Sequence, residues 1–140
     1  MQLYDKILNA AFWKRVRSDP AYADIISLIR ADYEEQIKEP LIALPFSLRN
    51  RFYTDGDRSQ FERYYFGRRA LLSSAAILAL LYPENERYLR DVEDTLWAIC
   101  DEYSWAVPAH CTNDYADGIT RVDLFVAETG AAVAEITALL

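Results

Sequence analysis

Residues 59–82, SQFERYYFGRRALLSSAAILALLY, decide the fold. A helix start falls near Asp57 or Ser59, and the first half carries Phe61, Tyr64, Tyr65 and Phe66. From Ala70 to Tyr82 no charged residue interrupts the run, and Pro83 ends it near Leu81. A helix apolar nearly all round must be covered on most of its faces. The run is well short of the roughly 20 residues that cross a bilayer, so it predicts a core helix and no membrane. Around such a helix a chain of 140 residues builds one hydrophobic core, so residues 1–140 are expected to form a single helical domain.

The flanks read as further helices. Ser18-Asp19-Pro20 supplies a cap and a first-turn proline, followed by Tyr22, Ile26, Ile29, Tyr33 and Ile37 at helical spacing to about Lys38. Ahead of it, Leu3 to Arg17 predicts one short helix packed by Phe12, Trp13 and Val16. Residues 39–57, EPLIALPFSLRNRFYTDGD, hold two prolines and an Asp55-Gly56 turn signal, and read as an extended connector. Downstream, Asn85 to about Glu102 presents Leu89, Val92, Leu96 and Ile99 as one stripe. A last helix starts at the N-cap Asp123, with Ala127, Ala131 and Ala134 permitting close approach of a neighbour. It finishes in Ala138-Leu139-Leu140 without a stop signal, which predicts further helices or a second copy against it. The expectation is an all-α protein of antiparallel helical hairpins.

Composition narrows the function classes. Hydrophobic residues make up 52% of the chain and glycine and proline are scarce, which excludes disordered and linker-dominated classes. A net charge of -7 argues against nucleic acid and anionic membrane as partners, since both reward a basic surface. The N-terminus lacks a basic segment followed by an apolar one, so a cytoplasmic location is expected. Cys100 and Cys111 lack CxxC spacing and supporting histidines, so neither a metal nor a disulfide is expected. No Gly-rich phosphate loop, GxSxG elbow or HExxH pair occurs, and no cofactor is expected.

Between the last two helices lies a long segment expected to be non-helical, Tyr103 to Val122, YSWAVPAHCTNDYADGITRV. Loops of this length inside a small domain are often functional. Trp105 offers a flat face of the kind sugars stack on, near His110, Asn113, Tyr115 and Arg121, and His110 is the single histidine and the candidate for proton transfer. Core packing by Trp105 and carbonyl bonding by His110 are the structural alternatives. Glu128, with mainly apolar helical neighbours, is a candidate desolvated carboxylate. A second concentration, Arg49, Arg51, Arg58, Arg63, Arg68 and Arg69 among aromatics, is able to take a carboxylate or sulfate. Pairing with Asp55, Asp57 and Glu62 is the favoured reading, because helical spacing scatters these arginines over several faces.

Three segments together, RFYTDGDRSQFERYYFGRR at 51–69, ICDEYSWAVPAH at 99–110 and DLFVAETGAAVAEI at 123–136, resemble the N-terminal part of heparinase II/III-like proteins. The resemblance runs from about Leu44 onward, and its most specific parts are Trp105 with Pro108-Ala109-His110 and Asp123-Leu124-Phe125 with Ala127-Glu128-Thr129. It implies the opening helices of an incomplete (α/α) toroid, completed by C-terminal helices beyond this chain. It also implies lyase chemistry on uronic-acid polysaccharides by β-elimination: the uronate carboxylate is neutralised, a base removes the C5 proton and an acid protonates the leaving oxygen. The family's Asn-His and Tyr catalytic positions are expected in later helices, and no Asn-His pair occurs here. On this resemblance Trp105 and His110 border a cleft for an acidic oligo- or polysaccharide, with Asp123 and Glu128 orienting them, while Asn113, Tyr115 and Arg121 join the expected binding set through their nearness in the same segment.

Overall fold

A computed structural model describes residues 2–113 and 115–140, the side chains of Gln2, Leu3, Tyr4 and Tyr115 excepted. The described residues form eight helices and no strand: α1 Gln2–Ile7, α2 Ala10–Ser18, α3 Ala23–Gln36, α4 Phe46–Thr54, α5 Ser59–Leu81, α6 Glu86–Cys100, α7 Tyr115–Thr120 and α8 Leu124–Leu139. None is long and apolar enough to cross a membrane.

Helix α5 is the axis. Leu71, Leu72, Ala75, Ala76, Leu78, Ala79 and Leu81 are all buried, because α3 and α6 flank it and Ile136 of α8 closes the cluster. Ser74 lies among them and satisfies its hydroxyl on the Ala70 and Leu71 carbonyls of its own helix. Helix α3 runs antiparallel to α5: Arg30 lies over the Tyr82 ring, while the Gln36 amide group meets Gly67. After a tight turn at 82–85, α6 returns antiparallel to α5, capped by the Asn85 side chain on the Arg87 amide. Helix α8 instead lies parallel to α5, with Phe125 against Phe66 and Thr129 against Arg69. The hairpin expectation therefore holds for α3, α5 and α6, while α8 joins as a parallel neighbour of α5.

Several boundaries differ from the sequence reading. The N-terminal helix is two helices, because Asn9 breaks the run and caps α2 through the Ala11 amide. Asp19 caps as expected, yet Pro20–Tyr22 form a 3₁₀ turn before α3 begins. The supposed extended connector contains α4: Pro45 occupies its N-cap, just ahead of the first turn where proline is tolerated, and Leu44 and Leu48 pack on Phe61 and Tyr65. The Asp55-Gly56 turn is present, with Gly56 at φ 76. On α6 the buried stripe is Tyr88, Val92, Thr95 and Ile99; Leu96 packs partly against the core, while Leu89 faces solvent.

Candidate functional site: a clamped segment over the head of α8

The segment after α6 is not devoid of helix. Pro108–His110 form a 3₁₀ turn and Tyr115–Thr120 form α7, whose six residues around Gly118 are too few to show a helical period. Hydrogen bonds to three other helices fix its first half. The Tyr65 hydroxyl donates to the Trp105 carbonyl (2.6 Å), the Tyr53 hydroxyl to the Pro108 carbonyl (2.9 Å), and the Trp105 indole N–H to the Ile99 carbonyl (2.8 Å). Burial pushes the Tyr65 and Tyr53 hydroxyls above the ordinary tyrosine range, which keeps both as donors. Ala106, Val107 and Pro108 are buried beneath.

At the head of α8, Asp123 does two things. Its Oδ1 accepts from the Val126 amide (2.8 Å), the expected N-cap, and its Oδ2 faces His110 Nδ1 at 2.7 Å and the Val107 amide at 3.4 Å. Burial of this carboxyl raises its pKa, but the Val126 amide, His110 and the Val107 amide outweigh burial and hold it below the ordinary carboxylate value. With Asp123 ionised, His110 Nδ1 carries the hydrogen. The His110 ring lies flat on Phe125, 5.5 Å between centroids and 4° between planes, with its side chain 37% exposed. Nε2 has no hydrogen-bond partner among the described residues. That arrangement suits accepting or delivering a proton at the surface.

Behind the segment is an ion cluster that sequence reasoning missed. Glu102, with 2% of its side chain exposed, takes Arg68 at 3.0 Å and Arg69 at 2.8 Å. Arg68 also donates to the Ala98 and Ile42 carbonyls, and Arg69 to the Tyr65 carbonyl and the Thr129 hydroxyl. Arg69 lies over the Tyr65 ring, 3.4 Å from its centroid. The signal available was the run Arg68-Arg69 facing one glutamate within the quoted motifs; nothing in the spacing said that they meet.

The predicted site residues part company. Trp105 packs against the main core with its N–H committed to Ile99, while His110 sits with Asp123 at the surface. Asn113 is exposed. The Tyr115 side chain lies outside the described residues. Arg121 pairs with Asp117, whose carboxyl is held down to about 2 by that guanidinium and the Thr112 amide. Glu128 is exposed rather than desolvated, because it sits on the flank of α8 at a small cleft of about 130 Å³ shared with Phe66, Arg69 and Phe125. Of the basic cluster, Arg51 pairs with Asp55 and Asp57, Arg58 with Glu62, and Arg63 with Glu39. Only Arg49 of the six lacks an ion-pair partner among the described residues. No group of metal-ligating side chains occurs among the described residues.

Comparison of the chain with protein-family models, with curated proteins and with solved structures gave no match.

Proposed function

We propose that this chain forms the opening hairpins of a heparinase II/III-like lyase and supplies one wall of a cleft for acidic, uronic-acid-containing carbohydrate. The observation that carries the reading is that the three resembling segments meet one another through polar side chains. Arg68 and Arg69 of the first hold Glu102 of the second, His110 of the second is held by Asp123 of the third, and Thr129 of the third accepts from Arg69. The parallel placement of α5 and α8 is also the relation that successive hairpins of an (α/α) array require. In this reading His110, oriented by Asp123, presents Nε2 to the sugar, and the proton abstraction of β-elimination is completed by residues outside this chain.

The test uses the single histidine as an unambiguous reporter. Titrating the protein with uronic-acid oligosaccharides should move the His110 ring resonances saturably, and an Asp123→Ala variant should weaken that response about tenfold or more by releasing the ring. Ring signals that stay put across the titration would remove the cleft.

A second reading, a non-catalytic interaction module, is favoured by α8. Leu124, Ala127, Ala131, Ala134, Ala138 and Leu140 are exposed on a helix with little charge. It predicts association rising with concentration in sedimentation, and a strictly monomeric chain at high concentration counts against it.

A further inference from the structure

We infer that Arg49 is an oxyanion receptor: the Nε and Nη2 edge of its guanidinium takes a carboxylate or sulfate group of a ligand bidentately, beneath the α7 turn at Gly118. The inference goes beyond the uronide cleft, which makes no use of Arg49, and stands on its own geometry. Arg49 is 8% exposed, and both Nε and Nη2 are buried without a hydrogen-bond partner among the described residues. Those two nitrogens are not an arbitrary pair. They share one side of the planar guanidinium and point two near-parallel N–H bonds outward, the fork that matches the two oxygens of one carboxylate or sulfate.

No ion pair to Arg49 is formed among the described residues, although each of the other arginines of the cluster has one. What surrounds it is uncharged: the Tyr53 and Tyr103 rings stand at 6.0 and 5.8 Å, the outer limit at which a ring face attracts a cation, and the Tyr53 hydroxyl and the Cys111 thiol lie close enough to feel its charge. A buried water would satisfy the donors without supplying the opposite charge that Arg49 lacks among the described residues. A buried cation of this kind is matched by an anion in most proteins, and the described residues supply none here.

The covering turn is built for close approach. A Cβ at Gly118 would stand 2.8 Å from Arg49 Nη2 and 3.3 Å from Tyr103, so any larger residue there would have to displace the guanidinium edge. The Ser104 hydroxyl ties the Gly118 carbonyl down beside it. An anion on the fork therefore lifts the Gly118 turn away from Ser104.

The experiment follows the Arg49 side-chain Nε–H resonance in the whole protein during titration with acetate, glucuronate and sulfate, ionic strength being held constant with chloride. The expected result is a saturable shift with at least one of them, accompanied by shifts of the Gly118 and Ser104 amides. Acetate and glucuronate without sulfate assigns a carboxylate ligand; sulfate alone assigns a sulfate ester. Arg49→Lys, which keeps the charge and loses the fork, should weaken binding at least tenfold, and Gly118→Ala should do the same by pressing on Nη2. An Arg49 signal that ignores all three anions, or follows chloride equally, overturns the inference, and this wild-type readout needs no variant to fold. A shift at Arg49 with an unmoved His110 ring under oligosaccharide leaves the receptor standing and removes the cleft; the reverse removes the receptor alone.

Discussion

The C-terminal half of α5 and its N-terminal half sit in the same helix and are held by different physics. Around Leu72, Leu78 and Leu81 the contacts are apolar on nearly every side, with Tyr33, Val92 and Ile99 completing the layer. Around Tyr65, Arg68 and Arg69 the apolar cluster is small, Phe61, Tyr65 and Val107, and polar groups hold the 103–110 segment and α8 in place. The first kind of contact is non-directional and tolerates exchange of similar volumes. The second fixes position and punishes the loss of one partner, because the other stays buried. A region that must aim side chains such as His110 at the surface is better served by the second.

The largest effect expected from this contrast is at Glu102. Glu102→Gln keeps the shape and removes the one carboxylate facing the buried Arg68 and the partly buried Arg69, which should cost about 3–5 kcal/mol in urea unfolding. A loss under about 1 kcal/mol, the scale of an exposed pair, would show that water reaches the cluster and that the contrast is false. In the apolar half, Leu78 is fully buried, so Leu78→Ala should cost about 2–5 kcal/mol by transfer and cavity terms. The two variants part on the His110 ring: Glu102→Gln should shift its resonances by loosening the clamped segment, whereas Leu78→Ala at equal destabilisation should leave them in place.

The same contrast explains what could be read in advance. Helices α5, α6 and α8 were legible because the long apolar run ending at Pro83, the apolar stripe from Leu89 to Ile99 and the cap Asp123 each point one way. Helices α4 and α7 were not, since nine and six residues carry too little periodicity, and Pro45 reads as a breaker unless its place at an N-cap is known. At the site, residue type gave the candidates and not their partners. Trp105 suits a sugar face equally as a core plug, and only the bond to Ile99 commits its N–H inward. Glu128 reads as desolvated because its neighbours in sequence are apolar, whereas burial depends on how many helices pack around α8. The isolation of Arg49 is invisible in a run of six arginines.

The smallest effect belongs to Asp123, where the polar clamp meets the helix cap. Asp123→Ala removes the acceptor for the Val126 amide and for His110, and should cost about 0.5–2 kcal/mol near neutrality, the range of an N-cap loss. The pH dependence has a definite sign. The folded carboxyl is held below its ordinary value of 3.8, so its contribution is complete above that value and is lost as pH falls through the lowered folded value. Wild type should therefore lose its advantage over Asp123→Ala on acidification below about pH 4, measured as the difference between their urea midpoints. Asp123→Asn separates the two jobs: asparagine still caps Val126, so most of the stability at neutral pH should survive while the acid dependence disappears. If the Asp123→Asn variant instead behaves as Asp123→Ala does, the contact with His110, and not the cap, is what holds the head of α8.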